Sequence, residues 1–311
     1  MQLINTLRDG DRVRSIYLCR TKMEAKTKVG KDYFSLTLQD RTGSVDAKIW
    51  DLSSGIEEFE ALDYVAVEGD VKMFQGHPQL NIRRLRVARE GEYDPAEYLP
   101  QSQYDIGGMF EELKKFIASI GNDYMRRLAE SFFLEDEAFA AEFRRHSAAK
   151  SVHHGFMGGL LEHTLAVLKL CEFFTRRYRF LDRDLLITAA MLHDVGKVYE
   201  LSEFPANEYT DEGQLLGHIV MGDHMVADHI ARIEGFPKTK AAELRHCILA
   251  HHGEFEFGSP KKPALAEALA LHYADNMDAK METFQEQLAN AEPGIWQCFN
   301  RLLDSNIRKT T

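Results

Sequence analysis

Between residues 11 and 88 apolar and polar positions alternate with a period of two, and many of the apolar ones are β-branched or aromatic. Side chains of a strand point alternately to opposite faces, so this pattern predicts half-buried strands. We read five strands, near 11–21, 31–40, 43–51, 62–75 and 78–88, with Asp40-Arg41-Thr42-Gly43 and Gly76-His77-Pro78 as turns. Phe34, Leu36 and Leu38 share one face, as do Val45, Ala47 and Ile49. Five short strands of this kind fit a small closed barrel. After a segment bearing Gly91, Pro95 and Pro100 the period changes to 3.6, predicting helices near 107–120, 122–131, 135–146, 159–178, 183–197, 214–233, 238–252 and 263–290. The expected organisation is a β domain over residues 1–90, a linker over 91–104 and an all-α domain over 105–311.

Composition sharpens this picture in three ways. A chain of 311 residues with 44% hydrophobic content has room for two ordinary cores. No apolar run approaches the roughly 18 residues of a membrane span, the polar start Met1-Gln2-Leu3-Ile4-Asn5 lacks a signal pattern, and Cys19, Cys171, Cys247 and Cys298 form no Cys-x-x-Cys pair. The expectation is a cytoplasmic protein with reduced thiols and no membrane partner. The net charge of -11 is unevenly spread: residues 1–90 hold 15 basic and 14 acidic side chains, about +1, which leaves about -12 for the rest. A polyanion would therefore be gripped by the β domain, and phosphate chemistry in the acidic part would lean on bound cations.

The α domain places polar residues where helices end: His163, the pair His193-Asp194, His218, the pair His251-His252, and Asp275. His193-Asp194 follows the apolar run Leu185-Leu186-Ile187-Thr188-Ala189-Ala190-Met191-Leu192 and precedes Val195-Gly196-Lys197. Three polar groups leaving a buried helix together carry a desolvation cost that calls for a purpose. Imidazole and carboxylate donors without thiolate suit divalent Mn²⁺, Fe²⁺, Co²⁺, Ni²⁺ or Zn²⁺, with Mn²⁺ placed first. A carboxylate can bridge two ions where imidazole cannot, so Asp194 among several histidines allows a two-ion site.

The order His163, then Leu192-His193-Asp194-Val195-Gly196-Lys197, then Tyr273-Ala274-Asp275-Asn276-Met277 resembles the HD metallophosphohydrolase superfamily, and His218 with His251-His252 resembles its two-metal branch. With a barrel in front, and with Ala148-Ala149-Lys150-Ser151-Val152-His153-His154 and Gly158-Gly159-Leu160-Leu161-Glu162-His163-Thr164, the chain is similar to the YhaM-type 3′-to-5′ exoribonucleases over nearly its whole length. The resemblance implies a multidomain β-plus-α chain, an N-terminal five-stranded OB-like barrel followed by an all-α HD-superfamily domain whose metal-site core spans about 150–290. It implies that His163, His193, Asp194 and Asp275 hold one ion and that Asp194, His218 and one or both of His251 and His252 hold the other. Lys197 would neutralise a nonbridging phosphate oxygen, and Lys150, His153 and His154 are candidate substrate contacts. His224, His229, His246 and His272 are read as structural. The cyclic-dinucleotide branch carries Gly-Tyr-Pro after its paired histidines, whereas this chain reads His252-Gly253-Glu254-Phe255-Glu256-Phe257, which disfavours that substrate.

If Phe34 and Ile49 face inward, Tyr33 and Trp50 face outward with Lys31 and Lys48 beside them. Aromatic faces near ammonium groups make a sequence-tolerant platform for unpaired bases, and Arg83, Arg84 and Arg86 on the last strand add cations. The expected function is a metal-dependent 3′-to-5′ exonuclease acting on single-stranded RNA, or on single-stranded DNA, and releasing 5′-nucleotides. Two alternatives stay open: a nucleotide or cyclic-nucleotide phosphohydrolase with a regulatory barrel, and a DNA-binding replication accessory factor without required turnover. A homo-oligomer is also left open.

Overall fold

The computed structural model describes residues 2–27, 30–74, 76–150, 155–289, 291–300 and 303–311. They form two compact units, Met1–Gln101 and Ser102–Thr311. The first is a closed barrel of β1 (Arg12–Lys26), β2 (Asp32–Asp40), β3 (Gly43–Ile49), β4 (Tyr64–Phe74) and β5 (His77–Val87), joined in the order β1-β2-β3-β5-β4. Every pairing is antiparallel except β3 with β5. The period-two pattern does what it predicts: Leu36, Leu38, Val45, Ala47 and Ile49 are buried in the barrel core together with Tyr17, Val65, Val67 and Leu80. Each such side chain contributes on the order of 1.5–3 kcal/mol through burial.

Two details of the barrel depart from the alternation. β1 runs on to Lys26, and its exposed end, from Lys22 to Lys26, pairs with Leu36 to Asp32 of β2, because backbone pairing asks nothing of the side chains. On β5, Gly69 pairs with Ile82 but Glu68 pairs with Arg84, so Arg83 is an extra residue in the ladder. This bulge is why two successive arginines both reach solvent. The barrel unit also keeps most of the stretch expected to be a linker. Tyr93 stacks on Tyr64 with ring centroids 3.9 Å apart, Tyr98 and Leu99 are buried, and Glu92 binds Arg86, so the unit runs to Gln101.

The second unit is helical: α1 (Ile106–Ala118), α2 (Asp123–Phe133), α3 (Glu137–Arg145), α4 (Gly159–Arg177), α5 (Arg183–Leu192), the short α6 (Lys197–Glu200), α7 (Asp211–Arg232), α8 (Lys238–Leu249) and α9 (Ala266–Leu288). Asp105, Asn122, Asp136, Asp182 and Thr210 cap α1, α2, α3, α5 and α7, each accepting from an otherwise unpaired N–H of the first turn. Helix α5 is the hub, packed against α2, α4, α8 and α9, and all of Leu185 to Leu192 is buried. The helix read as 183–197 ends at Leu192, and His193 to Gly196 turn the chain into α6. A final hairpin, β6 (Trp296–Asn300) with β7 (Ser305–Arg308), adds a two-stranded sheet to a unit expected to be all-α. No helix of the described residues is long and apolar enough to cross a membrane.

Candidate metal centre and nucleic-acid interface

The buried α5 delivers His193 and Asp194 at its C-terminal end, where three neighbouring elements bring their own donors. His163 comes from α4, Asp275 from α9, and His251 and His252 from the turn after α8. His218 comes from α7, where Gly217 breaks the helix with φ 73° and ψ 153°. Gly196 lets α6 and α7 meet at this point, since a Cβ there would fall 2.1 Å from the His218 carbonyl oxygen.

These side chains sort into two groups, one on each oxygen of Asp194. Oδ2 lies 3.5 Å from His163 Nε2 and 3.3 Å from His193 Nε2, and Asp275 Oδ1 closes that group 3.2 Å from His163 Nε2. Oδ1 lies 3.5 Å from His218 Nε2 and 3.7 Å from His251 Nε2, with His252 alongside. Within each trio, His163-His193-Asp275 and His218-His251-His252, the donor atoms lie within 4.8 Å of one another. Lys197 Nζ approaches Oδ2 at 2.7 Å.

The other ring nitrogen of each histidine is engaged too, which fixes how the ring is turned. His193 Nδ1 donates to the Ala190 carbonyl at 2.9 Å, His251 Nδ1 to the Ile248 carbonyl at 2.6 Å and His252 Nδ1 to the Phe257 carbonyl at 2.8 Å. His163 Nδ1 is held by Asp278 Oδ2 at 2.7 Å and His218 Nδ1 by Glu200 Oε1 at 2.9 Å. A carbonyl oxygen or carboxylate can only accept, so Nδ1 is a donor in all five rings, and Nε2 of His163, His193, His218 and His251 faces Asp194. Neither Asp278 nor Glu200 is in the sequence-predicted set, although Asp278 stands three residues beyond Asp275 on the same helix, a spacing that shares a face.

Buried polar atoms normally find partners, yet Asp194 Oδ1, His218 Nε2 and His251 Nε2 are buried without a hydrogen bond among the described residues. Five Nε2 atoms and two carboxylates converging on shared space fit divalent cations, the donor set being nitrogen and oxygen without sulfur. The electrostatics agree. Burial opposes charge on Asp194, but Lys197 and His193 outweigh it and hold the carboxyl well below its usual range. Burial opposes charge on Asp275 too, and His163 outweighs it. Burial would lower the His163 pKa, but Asp275 and Asp278 raise it to about 10. Burial keeps His251 well below its ordinary value and His252 below its own, aided by the nearby imidazoles. Burial lowers the Lys197 pKa, and Asp194 overcomes it, so Lys197 stays a cation.

The remaining sequence-predicted residues lie elsewhere. Lys150 is exposed and ion-paired with Glu208, and His153 and His154 fall outside the described residues. Among the histidines read as structural, His229 stacks on Phe132, His246 accepts from the Ala264 N–H, and His272 Nδ1 donates to the His251 carbonyl at 2.9 Å. His272 therefore supports a member of the candidate metal centre.

On the barrel, Tyr33 and Trp50 stack with centroids 4.7 Å apart, and Lys48 Nζ lies 5.8 Å from the Tyr33 ring. Lys48 also donates to Ser35 Oγ at 2.5 Å, and Trp50 Nε1 donates to Asn81 Oδ1 at 2.7 Å, which leaves Trp50 43% exposed. A groove of about 760 Å³ runs from Trp50 past Asn81, Lys72, Met73 and Phe74 to Arg83. Arg83, ion-paired with Asp70, also joins Arg12, Arg14 and Arg84 around a second hollow that Glu68 and Asp70 share. Arg84 and Arg86 line a hollow other than the Trp50 groove, and Arg86 is engaged by Glu92 at 2.7 and 3.0 Å.

Residues 160–280 match the HD domain family, and residues 6–88 match the family of OB-fold nucleic acid binding domains. Among solved structures, the chain is similar to a replication protein A heterotrimer bound to single-stranded DNA, at 19% identity and TM-score 0.22, over 28% of this chain and 65% of that one. The second OB-fold domain of replication protein A from Methanococcus maripaludis gives 21%, 0.20, 27% and 88% for the same quantities, and the aspartyl tRNA synthetase of Entamoeba histolytica gives 13%, 0.22, 56% and 36%. The chain spans less than two thirds of the first of these proteins. An HD domain marks a metal-dependent phosphohydrolase, and here it follows an OB-fold module of the nucleic-acid-binding kind.

Proposed function

We propose that this pairing of an HD phosphohydrolase domain with an OB-fold module is a 3′-to-5′ exoribonuclease that acts on single-stranded RNA and releases 5′-nucleotides. The observation that carries the reading is Asp194, whose two oxygens each face a separate trio of donors. His163, His193 and Asp275 would hold one ion with Asp194 Oδ2, and His218, His251 and His252 the other with Oδ1. Divalent ions bound there, Mn²⁺ first among the candidates, supply Lewis acidity that activates water and offsets charge on the phosphoryl oxygens.

The protein's own groups do the rest. Asp194, at the end of a helix buried from Leu185 to Leu192, would present one oxygen to each position, which limits how far the two donor groups can shift against each other. Lys197, kept cationic by Asp194, can pair with a nonbridging oxygen as negative charge builds in the transition state. Tyr33 and Trp50 offer faces for unpaired bases, and Lys48 and Arg83 offer cations for the backbone phosphates. The likeness of the motifs to YhaM-type enzymes supports attack from the 3′ end and the preference for ribose.

The test is incubation of the purified chain with a 5′-labelled single-stranded RNA and its DNA counterpart, with Mn²⁺ and then with chelator. The expected outcome is a ladder shortening from the 3′ end, faster on RNA, abolished by chelator and by Asp194→Ala. Intact strands beside rapid hydrolysis of mononucleotides would instead make the barrel a regulatory module.

A further inference from the structure

The two trios are built from unequal chemistry. On the Oδ2 side two imidazoles are joined by a second carboxylate, Asp275, whereas on the Oδ1 side all three donors are imidazoles. Three imidazoles and one shared carboxylate oxygen give the second position one carboxylate fewer than the first. A further carboxylate, Glu200, reaches that trio through His218.

Glu200 is placed for this with unusual firmness. It closes α6, its N–H donates to the Gly196 carbonyl at 3.0 Å, and its own carbonyl accepts from the Thr210 N–H at 2.9 Å. On the facing helix, a Cβ on Gly213 would fall 2.2 Å from that same carbonyl oxygen, so the backbones touch. The side chain is 11% exposed, and a single oxygen, Oε1, accepts both the His218 backbone N–H and its ring Nδ1–H, each at 2.9 Å. Those two bonds sit at the break Gly217 makes in α7. One carboxylate oxygen therefore fixes where the helix resumes and which way the ring points.

We propose that Glu200 is the positioning residue of the second metal position, orienting His218 by this double hydrogen bond and placing negative charge behind the all-histidine trio. Glu200 touches no reacting atom; it acts through His218, as a carboxylate behind a metal-ligating histidine does in general. Asp278 is its counterpart behind His163. The inference rests on the two-ion reading above and goes beyond it by making one ion separately removable.

The experiment titrates the full chain with Mn²⁺ by calorimetry, counts retained metal by mass spectrometry after desalting, and checks the fold by circular dichroism. Wild type is expected to bind two ions. Glu200→Gln keeps an acceptor oxygen but loses the charge, and should weaken one ion about 10-fold; Glu200→Ala should weaken it up to about 100-fold, leaving the other unchanged. Backgrounds assign the ion: Glu200→Gln should weaken the ion that remains in Asp275→Ala and leave alone the ion that remains in His252→Ala. Unchanged affinities in a folded Glu200→Gln chain would overturn the proposal, as would loss of both ions with a native spectrum. Should Glu200→Ala fail to fold, the Gln variant decides alone. A wild-type chain that binds one ion would instead refute the two-ion reading.

Discussion

His163 shows how much a single residue's surroundings decide. It meets Asp275 on Nε2 and Asp278 on Nδ1, and these overcome the cost of burial to raise its pKa to about 10, so in the metal-free protein it is an imidazolium at neutral pH. An ion that takes Nε2 must expel that proton, whereas His251 and His252 are held neutral and have none to lose. Filling the first position should therefore release about one proton near pH 7, with affinity rising about tenfold per pH unit toward pH 10. Calorimetry in buffers of different ionisation enthalpy measures this directly, and binding without proton release would show His163 to be neutral. For stability the signs run opposite ways. The raised pKa of His163 gives metal-free stability that is complete below about pH 6.5 and lost as pH climbs through 10. The lowered values of His251 and His252 cost stability as pH falls below about 6.5, where only the unfolded chain takes up their protons. Thermal melts of the metal-free chain should thus peak near neutral pH, about 6.5–7, and decline on both sides.

At the scale of elements, the centre depends on how closely α6 and α7 approach. Alanine at position 196 would push its methyl into the His218 carbonyl, and relieving that overlap moves the helix that carries His218. Gly196→Ala should cost about 1–3 kcal/mol in urea unfolding, and it should weaken metal binding more at the second position than at the first. A variant with wild-type stability and two tight ions would show that the helices yield without strain. This closeness is what the sequence could not display. Leu192, Val195 and Val198 continue an apolar spacing through the true end of α5, so periodicity ran the helix on to residue 197. The residues that the fold gathers at the end of α5 were legible as candidates, because His193-Asp194 after a wholly apolar run has no cheap structural explanation. Glu200 and Asp278 were not, since an acidic residue on a helix is ordinary until its partner is known. The barrel divides the same way. Alternation placed Leu36, Leu38 and Ile49 inside, but the bulge that turns both Arg83 and Arg84 outward depends on register, which no local pattern carries.

For the whole molecule, the charge balance is the guide. A chain with net charge -11 repels polyanions at long range, so a nucleic-acid substrate must be held by contacts that do not depend on overall charge. Stacking is such a contact. Trp50 is already ordered by Tyr33 on one face and Asn81 at its indole N–H, so little side-chain freedom is left to lose when a base covers its exposed face. If the barrel serves the hydrolytic site, Trp50→Ala should lower kcat/KM on a 20-nucleotide RNA relative to kcat/KM on a small chromogenic phosphodiester. At about 1–3 kcal/mol per stacked base the ratio should fall roughly 5- to 140-fold. Because stacking is screened far less than phosphate contacts, the loss should persist as salt rises from low to physiological concentration, while Arg83→Ala should matter less and less. Equal losses on both substrates would mean that Trp50 supports the fold alone. No loss on the RNA would place the strand elsewhere on the barrel, and the arginine-lined hollow of Arg12, Arg14 and Arg84 would be the surface to test next.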